Sequence, residues 1–317
     1  MRAPPLTALL ALTLALPLAG QGSECAAYSG RGRRVCDAAV DGTRAFHPVA
    51  GLLVSGGNPV LGTANTLGGL GHFAVTGRAN AARMVLPEPG YDGGGSSVPA
   101  SDELYAPVPL LEVAAGLYGG NAAGLLSVDF LGSVQLLPTD QLDNFAVEEG
   151  TRRIGGVGLG LGYGLRVGIL RELGPLPAVS VSVMRRDIPQ VAYGDVEAGD
   201  QFSYAVDLNA TNLRLVASKQ VAVFDFAAGL GWDKYTGDAE IRFRDPATSL
   251  VQPEIAFGLD QSRALLFLDA GVSLAALKLV GEVGYQTGKD QELSTQFEDF
   301  DTTKGKFFAG FGLRVGF

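Results

Sequence analysis

The chain is 317 residues long, carries a formal net charge of −9 at pH 7, and is 47% hydrophobic with 18% charged residues and 45 glycines. That acidic balance argues against a nucleic-acid partner, because a polyanion needs a basic face. Two histidines and two cysteines leave little material for a His-dependent hydrolase or a metal centre.

Residues 1–20 read as a secretory signal peptide. Arg2 supplies the basic start, Leu6 to Leu18 form an apolar core too short for an anchor, and Ala19, Gly20 and Gly22 are small enough for cleavage. Beyond that segment no run of eighteen apolar residues occurs, so no transmembrane helix is expected. Cys25 and Cys36 then sit close together in an oxidising compartment, where they are expected to form a structural disulfide. Closing so short a loop stabilises by roughly 2–3 kcal/mol, mainly by restricting the unfolded chain. A metal role would need more ligands than the nearby His47, and neither a metal nor a cofactor is expected.

Residues 21–66 show no sustained period-two alternation. Val35 to Phe46 predicts a short helix broken by Gly42, Gly56-Gly57-Asn58-Pro59 predicts a turn, and residues 48–54 are a further candidate strand. The segment is expected either as a plug inside a barrel or as a periplasmic appendage.

Residues 67–317 are expected to form the barrel. Alternating segments fall at about 71–85, 106–118, 123–137, 152–170, 177–185, 202–217, 220–232, 263–274, 277–286 and 305–317. The clearest puts Val157, Leu159, Leu161, Tyr163, Leu165, Val167 and Ile169 on one side and Gly158, Gly160, Gly162, Gly164, Arg166 and Gly168 on the other. Joints near 119–122, 171–176, 218–219 and 275–276 are short, while the alternate ones are long and polar, as in outer-membrane barrels. A turn at Ser218-Lys219 would pair Leu215 with Ala222, and one at Ala275-Ala276 would pair Val272 with Leu279 and Leu268 with Val283. Ile241-Arg242-Phe243 and Ile255-Ala256-Phe257 either add two strands or project as a hairpin. Between Leu208 and Leu213 the apolar positions switch from even to odd numbers, which predicts a bulge near Asn209 to Asn212. Trp232, Tyr235, Tyr163, Tyr285 and Phe317 are candidates for interfacial aromatic girdles.

The fold class expected is therefore all-β, a transmembrane antiparallel up-and-down β-barrel of about 10–12 strands with a short N-terminal plug or periplasmic segment. The last residues agree: Phe307, Ala309, Phe311, Leu313, Val315 and Phe317 share one face, and Gly312, Val315 and Phe317 resemble the C-terminal assembly signal of bacterial outer-membrane β-barrels. That resemblance implies delivery to the bacterial outer membrane by the barrel-assembly machinery, with outer-membrane lipid and lipopolysaccharide as neighbours. Gly57-Asn58-Pro59 followed by Val60 resembles the long-chain fatty-acid transporter family, which implies fourteen strands, an N-terminal hatch and sideways passage of hydrophobic compounds.

The candidate lumen-lining residues are Glu112, Asp129, Arg166, Asp207, Arg214, Asp225, Asp269, Lys278, Glu282 and Arg314. Facing lipid, a midplane Arg or Lys would cost roughly 2–4 kcal/mol, so these charges are expected to face inward. They form either a selectivity lining or a salt-bridged core that holds the barrel shut. Two functions follow: passive transport of small molecules, hydrophobic ones among them, or a closed structural or surface-interaction barrel without transport. No enzyme is expected, since no Gly-x-Ser-x-Gly elbow occurs and the only histidines are His47 and His72. Asp143, Glu148, Glu149, Asp195, Glu197, Asp290, Glu298 and Asp299 are expected on the long loops as a solvated rim.

Overall fold

The computed structural model describes residues 24–121, 125–138, 145–147, 153–154 and 157–317. The expected signal segment and the loop acids Asp143, Glu148 and Glu149 lie outside these residues. One helix, α1 (Gly30–Ser55), precedes the strands β1 (Phe73–Pro87), β2 (Ala100–Tyr118), β3 (Ser127–Pro138), β4 (Phe145–Val147), β5 (Arg153–Ile154), β6 (Val157–Leu170), β7 (Ala178–Tyr193), β8 (Phe202–Val221), β9 (Phe224–Phe243), β10 (Ile255–Leu274), β11 (Leu277–Gln286) and β12 (Lys306–Gly316). Ten of the strands form a closed antiparallel ring, from β1 through β2, β3 and β6 to β7, then β8 to β12 and back to β1. The short β4 and β5 extend β7 and β6 at one rim. Closure leaves no sheet edge to pair with another chain or to meet lipid with bare amides.

Joints at 171–177, 222–223 and 275–276 mark one rim, and the longer connections at 88–99, 194–201, 244–254 and 287–305 mark the other. The short-joint rim is called lower here. In its direction the barrel is inside out relative to a water-soluble protein. Leu161, Tyr163 and Leu165 of β6 are exposed beside a buried Arg166, and Phe307 and Phe311 of β12 and Phe317 just after it are exposed by 77%, 62% and 63%.

Nearer the long-loop rim the pattern reverses. Phe202, Tyr204, Val206 and Leu208 of β8 and Ile241 and Phe243 of β9 are buried inward. Their neighbours Asp207, Asp238, Glu240 and Arg242 occupy the outward positions of the same strands. This reversal accounts for the parity change that predicted a bulge near Asn209 to Asn212. No register shift occurs there against β9, and even-numbered residues of β8 face inward from Phe202 to Ser218. What changes is which side is apolar. A bulge does occur one strand over, between Ile188 and Val191 of β7, where Pro189 has no N–H for the ladder.

The β10–β11 ladder pairs Leu266 with Tyr285, Leu268 with Val283 and Val272 with Leu279, as the spacing predicts. The β8–β9 turn is Ala222-Val223 rather than Ser218-Lys219, so Leu215 faces Leu230 and Leu213 faces Trp232. The slip is an even number of residues, so every side chain keeps its face. Lys219 is held elsewhere, against Glu172 at 3.0 Å on the neighbouring joint. Ile255 pairs with Ile241, so the two short apolar triplets lengthen β9 and β10 and add no strands.

α1 lies inside the ring, and at roughly 1.5 Å per residue its 26 residues span about 39 Å. It runs without a break through Gly42 and Pro48 and includes residues 48–54, where a strand was the alternative. Gly42 and Gly51 are contact points rather than breaks: a Cβ at Gly51 would lie 2.4 Å from the Tyr235 ring, and one at Gly42 would lie 3.1 Å from Pro87. Burial on all sides outweighs the weak helix propensity of these residues. Cys25 and Cys36 are disulfide-bonded with Cα atoms 5.8 Å apart, tying the chain ahead of α1 to the helix.

Pro48 cannot donate to the Arg44 carbonyl four residues back. Gln291, from the 287–305 loop, takes that place: with its amide oriented by its partners, it donates to Arg44 O at 2.8 Å and accepts from Arg263 at 2.7 Å. The same loop donates Ser294 Oγ and Thr295 N to Asp41 of α1, each at 2.8 Å. Replacing Gln291 with Leu leaves the buried carbonyl and the guanidinium short of a partner. We expect a loss of about 1–3 kcal/mol, read as a lower urea midpoint of the refolded protein.

Candidate functional site: the N-terminal plug and the charged interior

Below α1 the chain from Gly56 to Leu67 crosses the lower lumen without regular structure, so its backbone groups need partners. The wall charges supply them. Glu282 accepts from Gly57 N at 3.0 Å and Asn58 N at 2.6 Å, and Arg78 donates to Asn58 O at 2.7 Å. Asp269 accepts from Asn58 Nδ2 at 2.7 Å and from Gly62 N at 2.9 Å through one oxygen. Arg214 donates to Gly56 O at 2.8 Å and Gly57 O at 2.7 Å, and makes a two-pronged contact with Asp233 at 2.6 and 3.2 Å. Farther along, Asp129 accepts from Leu67 N at 3.1 Å and binds Arg166 at 2.6 Å.

These groups form one connected system. Arg78 binds Glu282 at 2.8 Å and lies 3.5 Å from Glu112, and Arg186 lies 3.4 Å from the other Glu112 oxygen. Arg186 also donates to Asn212, which donates to Asp233 at 2.6 Å and to Ser55 Oγ of α1 at 3.0 Å. Tyr235 donates to Asp233 at 2.9 Å and accepts from Gln286 at 2.8 Å. Most of these side chains have almost no solvent exposure, so each charge depends on its partner.

The strand pattern places Glu112, Asp129, Arg166, Arg214, Asp225, Asp269, Lys278, Glu282 and Arg314 on inward positions. Asp225 sits apart from the plug, bonded to Lys278 at 2.6 Å and to Ser273. Asp207 is the exception: it occupies an outward position, because the expected bulge that would have turned it inward is missing. Tyr235 is likewise corrected, being fully buried against α1 rather than in an outer girdle. Tyr163 and Trp232 are exposed on the outer face at 60% and 43%, and Phe317 stacks on Phe73 with ring centroids 4.7 Å apart. Of the assembly-signal residues, Val315 faces outward opposite Val75 and Leu277, and Gly312 faces inward against Leu61 and Arg78. His47 lies on α1 edge-on to Tyr235, and His72 precedes β1.

Arg78, Arg186 and Asp233, not singled out from the sequence, complete the site together with Asn58, which was read there only as part of a turn and of a family resemblance. The signal was present for three of them: Arg78 continues the even series from Thr76 to Asn80, while Arg186 and Asp233 sit one residue beyond segments that ended too early. Asn58 could not be found by parity, since it lies in an irregular segment.

No protein-family model matches the chain, and no curated protein matches it. Among solved structures it is similar to the outer membrane protease OmpT of Escherichia coli, at 12% identity and a TM-score of 0.38, over 78% of this chain and 96% of that one. It is also similar to the N-terminal β-barrel domain of Pseudomonas aeruginosa OprF, at 13% identity and 0.25, over 50% and 87%. A third is the Pseudomonas putida toluene transporter TodX, at 9% identity and 0.29, over 77% and 89%. Ten strands in the ring also separate this chain from the fourteen of the fatty-acid transporter family.

Proposed function

We propose that this chain is a bacterial outer-membrane β-barrel, closed at rest by its own N-terminal segment, that passes small molecules when residues 56–67 move. The outward apolar belt supports the location, since acyl chains solvate such a surface and water does not. A signal peptide over residues 1–20, insertion by the barrel-assembly machinery at Gly312, Val315 and Phe317, and contact with lipopolysaccharide belong to this proposal. No catalytic step is part of it.

The observation that carries the gating reading is how the lower plug is held. Its backbone polar groups are bound by side-chain charges, at Glu282, Asp269, Arg214 and Asp129, and not by a strand or helix ladder. Water can replace each such bond as the segment moves, whereas apolar contacts have no such substitute. Apolar contacts accompany these bonds: Val60 packs with Ala114, Leu131 and Met184, Leu61 is fully buried, and Ala64 joins the main core cluster.

The second reading is a permanently closed structural or surface barrel. Its support is the upper half, where Val35, Phe46, Val49, Leu52 and Leu53 of α1 pack against Phe202, Tyr204, Ile241 and Phe243. Single-channel recording of the refolded mature protein in a planar bilayer separates the two. Gating predicts a closed baseline broken by brief reproducible steps. A silent, correctly inserted protein under all voltages and pH values would leave the structural barrel.

A further inference from the structure

Before it enters the wall, the chain passes through the lumen once, from the long-loop rim to the short-joint rim. Tyr28 stands edge-on to Phe243 at the upper end of β9, with ring centroids 4.7 Å apart. Arg31 pairs with Asp92 at 3.2 Å and Arg34 donates to Gly93 O at 2.5 Å, both partners lying in the 88–99 loop. Gly32 packs against the 244–254 loop, where an Asp245 oxygen would lie 2.9 Å from a Cβ. Lower down, Gly42 meets Pro87 at the top of β1, Gly51 meets Tyr235, and Ser55 accepts from Asn212 at 3.0 Å. At the foot, Asn65 donates to Glu172 of the 171–177 joint at 3.1 Å and accepts from its backbone N–H at 3.2 Å. β1 then starts upward from Phe73, which exchanges two backbone bonds with Phe317 at 3.1 and 2.8 Å.

The level of the residues ahead of α1 can be read from the wall. The outward Lys234–Asp260 pair marks the upper edge of the apolar belt. Phe257 lies three residues farther up β10, and Arg44 spans from its ring, 5.5 Å away, to Glu24 at 2.6 Å. Cys36, bonded to Cys25, is eight residues nearer the top of α1, about 12 Å at roughly 1.5 Å per residue. Glu24 to Cys36 therefore stand above the belt, on the side opposite Phe317.

The direction of the helix is also matched to the barrel. α1 has no acid in its first turn and no base in its last. The wall supplies both, with Asp245 beside Gly32 at the upper end and Arg214 on the carbonyls of Gly56 and Gly57 at the lower one. Anions favour a helix N-terminus and cations its C-terminus, so these charges select this direction over the reverse.

We propose that the barrel is the conduit by which its own N-terminal segment crosses the outer membrane, and that it presents Glu24 to Cys36, closed by the disulfide, at the cell surface. Outer-membrane barrels turn their long loops outward and their short joints to the periplasm, so the placement rests on the outer-membrane reading and goes beyond it by giving the plug a direction and a display function. A chain delivered by a signal peptide starts from the periplasm, so this segment passes the ring before α1 and Gly56 to Leu67 fill it. A peptide carried ahead of Ser23 leaves on the same side.

The test places a short epitope tag in the full chain, expressed in a Gram-negative host, at one of three points: between Gly22 and Ser23, between Ala198 and Gly199 of the 194–201 loop, or between Gly174 and Pro175 of the 171–177 joint. Antibody, too large to cross an intact outer membrane, is applied to whole and to permeabilised cells. The expected result is staining of the N-terminal and loop tags on whole cells at a comparable level, and of the joint tag only after permeabilisation. The untagged chain gives a second reading that no insertion can disturb: an amine-reactive polyethylene glycol too large for porins, applied to whole cells, should label the α-amino group of the mature chain, detected by peptide mass spectrometry. An N-terminal tag stained only after permeabilisation while the loop tag stains on whole cells, or an α-amino group labelled only in permeabilised cells, would overturn the proposal. A joint tag stained on whole cells, or a chain absent from the outer-membrane fraction, would instead defeat the outer-membrane reading beneath it.

Discussion

Arg214→Ala is expected to detach the lower plug while leaving the barrel folded. Arg214 is the clasp at the end of α1: it holds the carbonyls of Gly56 and Gly57, the two residues after the helix, and neutralises Asp233 through two bonds. Truncation strands a buried carboxylate and two buried carbonyls together. Breaking a buried ion pair by removing one partner costs about 3–5 kcal/mol, more than the pair contributes when intact. At about 1.4 kcal/mol per factor of ten, amide exchange across residues 56–67 should accelerate by roughly 10²- to 10³-fold. Exchange in β10 and β11, outside the plug, should move far less. Adding Asp233→Asn removes the stranded charge, so the double variant should recover part of the loss. Unchanged exchange in residues 56–67 would show that the plug is held by something other than this clasp.

Deleting residues 24–66 is the larger intervention, and it should convert a closed barrel into a conducting one at a heavy cost in stability. The lower lumen would then be lined by Arg78, Arg166, Arg214, Asp269 and Glu282 with water in place of the plug backbone, a polar channel in a narrow ten-strand ring. The upper interior would fare worse. Phe202, Tyr204, Ile241 and Phe243 would face water once α1 is gone, and α1 itself buries Val35, Phe46, Val49, Leu52 and Leu53. At roughly 1.5–3 kcal/mol per buried large apolar side chain, those five alone correspond to about 7–15 kcal/mol, as an upper estimate. Planar-bilayer recording should therefore show steady steps absent from the intact protein, alongside a clearly lower unfolding midpoint in vesicles. A deletion variant that inserts and stays silent would mean that the wall side chains collapse into the space and close it themselves.

The barrel was legible in the sequence wherever one face was uniformly apolar and the other small or charged, as along Val157 to Ile169 and Phe307 to Phe317. Period two is a local signal, and lipid-like surroundings on one side keep it clean. It failed where the surroundings change along one strand. Phe202 to Leu208 and Leu213 to Leu215 look like two registers, yet they belong to one uninterrupted strand that is apolar toward α1 above and apolar outward below. A local rule assumes one environment per strand, so Asp207 and Tyr235 were assigned to the wrong faces.

The plug was the least legible part, for a related reason. Gly42, Gly51 and Pro48 read as helix breakers, but α1 needs the two glycines to pass Pro87 and Tyr235, and Gln291 occupies the bond that Pro48 cannot make. These are long-range facts, set by residues up to a few hundred positions away. The charged interior was intermediate: the parity of Glu112, Asp129, Arg166, Arg214, Asp269 and Glu282 was readable, but their use as partners for the backbone of Gly56 to Leu67 was not.

The central claim is that the exposed apolar belt is solvated by lipid, and the chain carries its own reporter. Trp232 is the only tryptophan, lies outward on β9, and is 43% exposed. The outward Lys234–Asp260 pair at 3.0 Å stands just above it, which places the indole close to the upper edge of the belt. The measurement is quenching of its fluorescence in vesicles, by brominated lipid from the membrane side and by acrylamide from the water side. The account predicts strong quenching by lipid brominated near the headgroup, weaker quenching by lipid brominated deep in the chain, and little effect of acrylamide. Strong acrylamide quenching with no response to either brominated lipid would put that face in water and contradict the membrane barrel.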